Sequence, residues 1–414
     1  MTDWHVLTGE YPPQLGGVGD YTRHVARGLA ATGGVVHIWA PPCDEPDAIE
    51  SGIVVHRLPD RFGSRSLRVL TRELDKHPDA RLLLQYVPHA FGWRAANLPF
   101  CWWLRSRRRD SLWVMFHEVA FPFGRGETLS RNALAAVNHV MAAIVAGAAG
   151  RVFVSIPAWN AQLRGLVRTD VEWLPVPSGI PVVNDSQASG RIRARHAGGG
   201  PLIGHFGTCG GTIRSVLDDA LAQLMATSDA RVLLLGRGSD RVAREIGARF
   251  PQLRHRMHGT GVLDAADVSR HVSACDLMLQ PYPDGISSRR TSAMVSLAHA
   301  RPIVTTRGWL TEPLWEQSGA VDLVDAGDPG ALAQSAERLL RDRSRREQLS
   351  SRACALYEAR FDVRHTIAVL RSESTRSVPT KDHEGTQRPR RPLRITFFLC
   401  VLCGLCVQSW ALSP

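Results

Sequence analysis

The amino terminus of the chain places a glycine-rich turn between a short apolar run and a helical pattern. Residues 4–7 have the composition of a strand, and the prolines at 12–13 end it because proline has no amide hydrogen to donate. Gly16 and Gly17 follow, and apolar residues recur at helical spacing over 21–29. A strand, a glycine turn and a helix in this order direct backbone N–H groups and a positive helix end at an anion. The alternative is a tight turn without a ligand.

Short apolar runs alternate with helical patterns along most of the chain. The first alternating set extends over residues 4–176, and a second begins at residue 202. Continuous apolar strands between helices are typical of a parallel sheet that is covered on both faces. The predicted fold class is therefore α/β, with two Rossmann-like open domains that face each other across a cleft at the carboxyl ends of their strands.

The chain length and local composition predict the domain boundaries. At 414 residues the chain is too long for one ordinary domain. We expect an amino-terminal domain over 1–180, a polar linker or loop over 181–201, a carboxy-terminal domain over 202–355 and a closing helix over 356–372.

The last 42 residues differ in composition from the rest. Residues 373–394 are polar and rich in proline and arginine, which predicts a disordered basic linker. Residues 395–414 form an apolar tail, and a helix over 395–412 would span about 27 Å. One interpretation is a membrane anchor with its positive flank on the cytoplasmic side. The other is an atypical tail without a role.

The charge of the chain restricts its partners. The formal net charge is +11, and the chain has only two lysines, Lys76 and Lys381, so nearly all of the positive charge is arginine. The basic runs are not interleaved with stacking aromatics, so a nucleic acid partner is not expected. An anionic substrate or an anionic membrane surface suits the charge. No secretory signal pattern opens the sequence, which predicts a cytoplasmic protein, associated with the cytoplasmic membrane face if the tail is an anchor.

Two segments of the second half have the features of a phosphate site. The strand over 202–206 is followed by a turn at Gly207 and Thr208. Arg214 lies on the first turn of the next helix, where it can bind phosphate in bidentate fashion or remain a surface residue. A loop over 281–292 also joins a strand to a helix, and its N–H groups are expected to face a diphosphate. The residues of this loop that are expected to contact this ligand are Gly285, Ile286, Ser287, Arg289 and Arg290.

The first half supplies one candidate for chemistry. His117 follows an apolar strand directly, at the sheet edge where open α/β folds bind ligands. Its expected role is a hydrogen bond to a hydroxyl of the ligand, and the alternative is a structural histidine. Glu118 is expected to orient the loop or a second substrate. A further segment over 102–109 is aromatic and then basic, which suits a membrane interface or, alternatively, a buried helix with a solvated end.

Three strings together resemble a known enzyme family. Glu-Tyr-Pro-Pro at 10–13 with Gly-Gly-Val-Gly at 16–19, Gly-His-Phe-Gly at 204–207 and the loop over 284–292 are similar to the signatures of GT-B glycosyltransferases of retaining family 4. The resemblance covers residues 3–371. It implies transfer of a sugar from a nucleotide-sugar to a glycan, lipid-linked or small-molecule acceptor with retention of configuration, as in polysaccharide biosynthesis.

The resemblance also implies site roles, with one departure. In the family, the loop carries a Glu that contacts the donor sugar and a second Glu that contacts the ribose. Asp284 matches the first position, and the resemblance makes it and His117 the catalytic candidates. Ser292 stands at the second position, so the usual ribose contact is missing there. Glu312, after the next strand, is predicted to replace it from a neighbouring loop, with its carboxylate within reach of the loop at Ser287.

The expected mechanism depends on positioning and on stabilising the charge of the leaving phosphate. No metal or other cofactor is expected, because arginines can supply the positive charge. Two rival interpretations remain. One is a catalytically silent nucleotide-sugar-binding or scaffold protein of the same fold, which Ser292 favours. The other is an NAD-dependent oxidoreductase, although residues 17–19 give only a fragment of the G-x-G-x-x-G motif.

Overall fold

The computed structural model of the protein describes residues 3–372, except for Leu15 and residues 108–110, 168–169 and 208–209. The predicted contact at Thr208, the basic linker over 373–394 and the apolar tail lie outside the described residues.

The first half is built around a parallel sheet of 7 strands, in the order β3-β2-β1-β4-β5-β6-β7. The central strands are buried almost throughout because helices cover both faces, as the continuous apolar runs predict. The strands are β1 (Trp4–Thr8), β2 (Val36–Ala40), β3 (Ile53–Arg57), β4 (Arg81–Tyr86), β5 (Ser111–Phe116), β6 (Arg151–Val154) and β7 (Val171–Trp173). The helices are α1 (Gly17–Ala30), α2 (Ser64–Leu74), α3 (Leu98–Ser106), α4 (Leu129–Ala148) and α5 (Ala158–Leu163).

The second half contains a parallel sheet of 6 strands, in the order β10-β9-β8-β11-β12-β13. β8 and β11 are parallel neighbours at the centre of the sheet, so the loops that follow them lie side by side at the carboxyl ends of the strands. The strands are β8 (Leu202–Phe206), β9 (Arg231–Leu235), β10 (Met257–Gly259), β11 (Leu277–Gln280), β12 (Ile303–Arg307) and β13 (Asp322–Asp325). The helices are α6 (Ser186–Ala197), α7 (Gly211–Thr227), α8 (Ser239–Arg249), α9 (Ala265–Ala274), α10 (Thr291–Ala298), α11 (Pro313–Ser318), α12 (Pro329–Arg341) and α13 (Arg343–Leu356).

The segment 181–201 contains a helix, so its prediction as a linker or loop is wrong over most of its length. α6 has regular end signals: the Asp185 side chain accepts a hydrogen bond from the N–H of Ala188, and Gly198 ends the helix in the left-handed conformation. The helix packs on α9 of the second half, and Ile192 contacts that core. Its polar composition reflects a helix with one exposed side.

The closing segment returns to the first half. A π-turn over Tyr357–Phe361 is followed by α14 (Val363–Arg371), whose Ile367 and Leu370 belong to the apolar core around β1 and β2. Arg81 donates to the carbonyl of Leu370 at 2.9 Å, and Arg151 donates to the carbonyl of Val369 at 3.1 Å. Two guanidinium groups therefore satisfy carbonyls at the negative end of α14.

One described helix, α4, is long and apolar enough to cross a bilayer. Its inner side, including Met141 and Val145, packs in the core of the first half, and core helices of this kind often have such a composition.

A stack of histidines lies on one face of the first sheet. His5 and His37 are stacked with ring centroids 4.7 Å apart, and His37 Nδ1 lies 2.9 Å from Nε2 of His56. His77 adds a fourth ring, and Trp39 stacks on His56. Burial, together with the neighbouring histidines, lowers the pKa of His5 to about 3, and burial also lowers the pKa of His37 and of His56. His5, His37 and His56 are therefore neutral in the folded protein at neutral pH.

This stack predicts loss of stability in acid. Because the pKa of His5 is lower in the folded than in the unfolded chain, its contribution is complete above about pH 6.5 and decreases as the pH falls towards 3. We expect the midpoint of thermal unfolding to fall steadily below pH 6.5. The variant His37→Gln should have a shallower dependence on pH, and the exposed His255→Gln should match the parent protein. Equal slopes for all three proteins would contradict the prediction.

Candidate functional site

The candidate site lies where the carboxyl ends of the two sheets face each other. The loops after β5 and β6 supply the side from the first half, and the loops after β11 and β12 supply the side from the second half. Ser288 joins the two sides: its Oγ lies 2.9 Å from the carbonyl oxygen of Ser155, and its own carbonyl accepts a hydrogen bond from the N–H of Val176 at 3.0 Å. The loop after β11 is therefore held against the first half.

An anion does occupy the amino end of α1, and it belongs to the protein. Glu10 Oε1 accepts hydrogen bonds from the N–H groups of Val18 at 2.8 Å and Gly19 at 3.0 Å. A side chain at Gly16 would collide with this carboxylate, whereas the space around Gly17 is open. The glycine turn thus accommodates the Glu10 carboxylate closely. The predicted contact of Gly16 and Gly17 with a nucleotide-sugar donor stays a prediction.

His117 is buried at the end of β5. Its Nε2 lies 2.8 Å from Oε1 of Gln85, and the ring of Tyr21 meets it edge-on at 4.8 Å between centroids. Ser155 and Trp159 both donate to its backbone carbonyl. Burial lowers the pKa of His117 to about 3, so the imidazole is neutral at neutral pH. A neutral ring in this position can take part in a hydrogen bond to a hydroxyl but does not carry a positive charge.

The loop after β11 brings the predicted acid and both predicted arginines together. Asp284 Oδ2 accepts from Arg289 Nη2 at 2.9 Å, and Asp284 Oδ1 pairs with Arg290. The guanidinium carbon of Arg289 lies 5.6 Å from the ring centre of Trp159, and that of Arg290 lies 4.7 Å from the ring centre of Tyr282. Both arginines are thereby held at the cleft.

Two glycines allow this loop to pack tightly. Gly285 has φ +88°, and a side chain there would collide with Thr311 and Gly308. A side chain at Gly308 would collide with the backbone of Asp284 in turn. The loops after β11 and β12 are therefore in direct backbone contact.

Glu312 is buried beneath the loop. Its Oε1 accepts from the backbone N–H of Ser288 at 2.9 Å, and its Oε2 accepts from Trp315 Nε1 at 2.7 Å. The Ser288 hydroxyl lies 2.5 Å from Oε1. The carboxylate is near the loop, as predicted, but both oxygens are already hydrogen-bonded to protein groups. Ser292, at the position of the expected second acid, contacts the hydroxyl of Tyr282 at 2.8 Å.

Arg214 occupies the first turn of α7, and two acids surround its guanidinium group. Its Nη2 lies 2.9 Å from Oδ2 of Asp218, and its Nη1 pairs with Glu245 of α8. A contact with phosphate would have to compete with these ion pairs.

Several buried polar atoms at this edge have no hydrogen-bond partner among the described residues. Burial of an unpaired polar group costs free energy, so a group of them at one place indicates a polar ligand. On the second half they are Gln280 Oε1, Ser287 Oγ, Arg289 Nε and Arg290 Nε. On the first half, Gln85 Nε2, beside His117, is also buried without a hydrogen-bond partner among the described residues.

Sequence reasoning did not identify Gln85 or Trp159 as part of the site. Gln85 is the one polar residue within the apolar run of β4 from Leu82 to Tyr86. A buried polar residue at the end of a strand could have indicated that Gln85 belongs to the site. In the described part of the chain, no group of three or more His, Cys, Asp or Glu side chains is placed to hold a metal ion.

Comparison with known proteins identifies the fold and the class of the second half. Residues 203–342 match the family model described as "Glycosyl transferases group 1". No curated protein matches the chain. Family 4 membership and retention stay predictions.

Three solved structures resemble nearly the whole described chain. Sucrose-phosphate synthase from Thermosynechococcus elongatus is 16% identical, with 89% of this chain and 97% of that chain covered and a TM-score of 0.68. WaaG, a glycosyltransferase involved in lipopolysaccharide biosynthesis, is 14% identical, with coverage of 88% and 98% and a TM-score of 0.64. Anabaena Alr3699/HepE in complex with UDP-glucose is 16% identical, with coverage of 89% and 98% and a TM-score of 0.63. The predicted GT-B fold is thereby confirmed.

Proposed function

We propose that the protein is a glycosyltransferase that moves a sugar from a nucleotide-sugar to a hydroxyl acceptor, with the donor diphosphate on the loop over 284–290. The observation that carries the proposal is the set of unpaired polar atoms on this loop, at the edge where the two sheets meet. Arg289 and Arg290 each have an unpaired Nε, and a guanidinium group suits phosphate oxygens in both charge and shape. The group 1 glycosyl transferase match over residues 203–342 includes this loop.

The contacts support different roles for the two halves in this proposal. The second half holds the diphosphate with arginines and backbone N–H groups, which stabilises the charge that develops on the leaving phosphate. His117, neutral and buried, faces the cleft from the first half and takes part in a hydrogen bond with a donor hydroxyl. The leaving phosphate accepts the proton of the acceptor hydroxyl, so retention requires no carboxylate nucleophile.

Asp284 and Glu312 have different roles in this proposal. Asp284 keeps the two arginines in place, and it contacts the sugar only after exchanging one of them for a hydroxyl. Glu312 is a positioning residue, because its oxygens are already bonded to Ser288 and Trp315. Ribose recognition then depends on the loop backbone and on Ser287, whose buried hydroxyl has no partner in the described structure.

Direct binding of UDP and UDP-glucose tests the proposal, since a solved relative of this fold was crystallised with UDP-glucose. Titration calorimetry should detect binding of both ligands to the full chain. Arg289→Ala should weaken UDP binding about tenfold, because a hydrogen bond to a charged group contributes roughly 1.5 kcal/mol or more. Arg307→Ala is a matched control, since the Arg307 guanidinium group pairs with Glu316 and Asp325 rather than with Asp284 or Glu118. Equal UDP affinity in the two variants would remove Arg289 from the site.

A second candidate function is nucleotide-sugar binding without transfer. It is favoured by the saturated carboxylate of Asp284 and by Ser292 in place of the second acid. Release of UDP from UDP-glucose, measured with and without added acceptors, separates the two candidates. A binding protein would retain the ligand intact in every case.

A further inference from the structure

A row of alternating charges crosses the cleft from one half to the other. Oε1 of Glu118, which follows His117 after β5, accepts a hydrogen bond from Nη1 of Arg289 at 3.1 Å. Arg289 is also bonded to Asp284, and Asp284 pairs with Arg290. Two carboxylates and two guanidinium groups therefore balance one another without a ligand.

Among these four groups, Glu118 alone comes from the first half. Asp284 and both arginines lie on one loop of the second half. The Glu118 side chain is 37% exposed, against 18% for Asp284, so its ion pair is the more hydrated and the weaker of the two around Arg289. Glu118 is therefore the partner that an incoming anion displaces first.

We propose that Glu118 is an internal substitute for the anionic part of the donor: it holds Arg289 across the cleft in the free protein and releases it when a nucleoside diphosphate binds. This inference rests on the proposed donor site on the loop over 284–290. Glu118 acts through Arg289 and is a positioning residue. Part of the binding free energy of the diphosphate is spent on breaking the pair between Glu118 and Arg289.

This role predicts a gain of affinity when Glu118 is changed. A residue that only supported the loop would, when replaced, weaken binding instead. Glu118→Gln should bind UDP about two- to fivefold more tightly than the parent chain, the range expected for an ion pair at this exposure. Glu118→Asp should shift the affinity in the same direction, because its side chain is one methylene shorter. Glu316→Gln removes the same charge from α11 without contact to Arg289 and should leave the affinity unchanged.

A double-variant cycle shows whether the effect passes through Arg289. The gain from Glu118→Gln should vanish in the Arg289→Ala background, and a gain that persists there would overturn the inference. The inference also fails if the parent chain binds UDP and Glu118→Gln binds it equally or more weakly. If the parent chain binds none of UDP, ADP and GDP, the proposed function itself is wrong and the inference falls with it.

Discussion

Replacing Glu312 by alanine is expected to release the loop over 284–290 and to weaken UDP binding about 100-fold. The substitution leaves the backbone N–H of Ser288 and the indole N–H of Trp315 buried without an acceptor. Each such group costs about 1–3 kcal/mol, so the loop is held less firmly against the loop after β12. The same change should lower the midpoint of thermal unfolding by several degrees.

The matched control for this prediction is Glu316→Ala. Glu316 lies on α11, which begins directly after Glu312. It is 54% exposed and pairs with Arg307, so its loss should change neither UDP affinity nor stability appreciably. Glu312→Gln should be intermediate, because an amide offers one acceptor oxygen in place of two. If Glu312→Ala leaves UDP affinity unchanged while stability falls, Glu312 supports the fold but not the site.

Replacing Arg151 by alanine is expected to detach α14 from the first sheet at a cost of about 3 kcal/mol. Arg151 forms a bidentate pair with Glu172 at 2.8 Å and 2.7 Å, donates to the carbonyls of Val369 and Ser372, and covers the ring of Trp113 at 4.6 Å. Its removal leaves Glu172 without this partner and the carbonyls of Val369 and Ser372 without this donor, although Arg81 still donates to Leu370. Hydrogen exchange over residues 363–371 should therefore become much faster.

Arg343→Ala provides the comparison for Arg151→Ala. Its side chain is 85% exposed and pairs with Glu347 one turn away, so stability should change by less than about 0.5 kcal/mol. Arg151→Lys retains the charge but cannot form the bidentate pair, and it should lose part of the stability. Unchanged exchange in α14 after Arg151→Ala would show that Ile367 and Leu370 hold the helix without the arginine.

The α/β architecture could be predicted from the sequence because its strands are continuous apolar runs between helices, which few other folds produce. Local patterns also indicated the glycine turn before α1 and the position of His117 at a strand end. The sequence could not indicate that Glu10 fills the amino end of α1, because a carboxylate seven residues before Gly17 has no periodic relation to the helix it caps. α6 was missed because most of its surface is polar and its few apolar residues, Ile192 and Ala197, pack in a core formed by elements distant in sequence.

The charges at the cleft show a second limit of prediction from the sequence. Arg289 and Glu118 are 171 residues apart, and only the folded chain brings their side chains within 3.1 Å. The position of Glu312 after β12 predicted its proximity to the loop, since neighbouring parallel strands end at one edge. Its hydrogen bonds to Ser288 and Trp315 depend on side-chain directions that spacing does not specify.

The route of the chain between the halves limits how the cleft can open. The backbone passes to the second half after β7 and returns before α14, and the two passages are joined where the N–H of Ser178 donates to the hydroxyl of Tyr357 at 3.2 Å. A single passage would permit swivelling and bending in any direction. Two adjacent passages restrict the motion of the halves to rotation about one axis and resist torsion. Opening is therefore expected to follow one angular coordinate, along which a single pair of labels, one on each half, can report the whole motion.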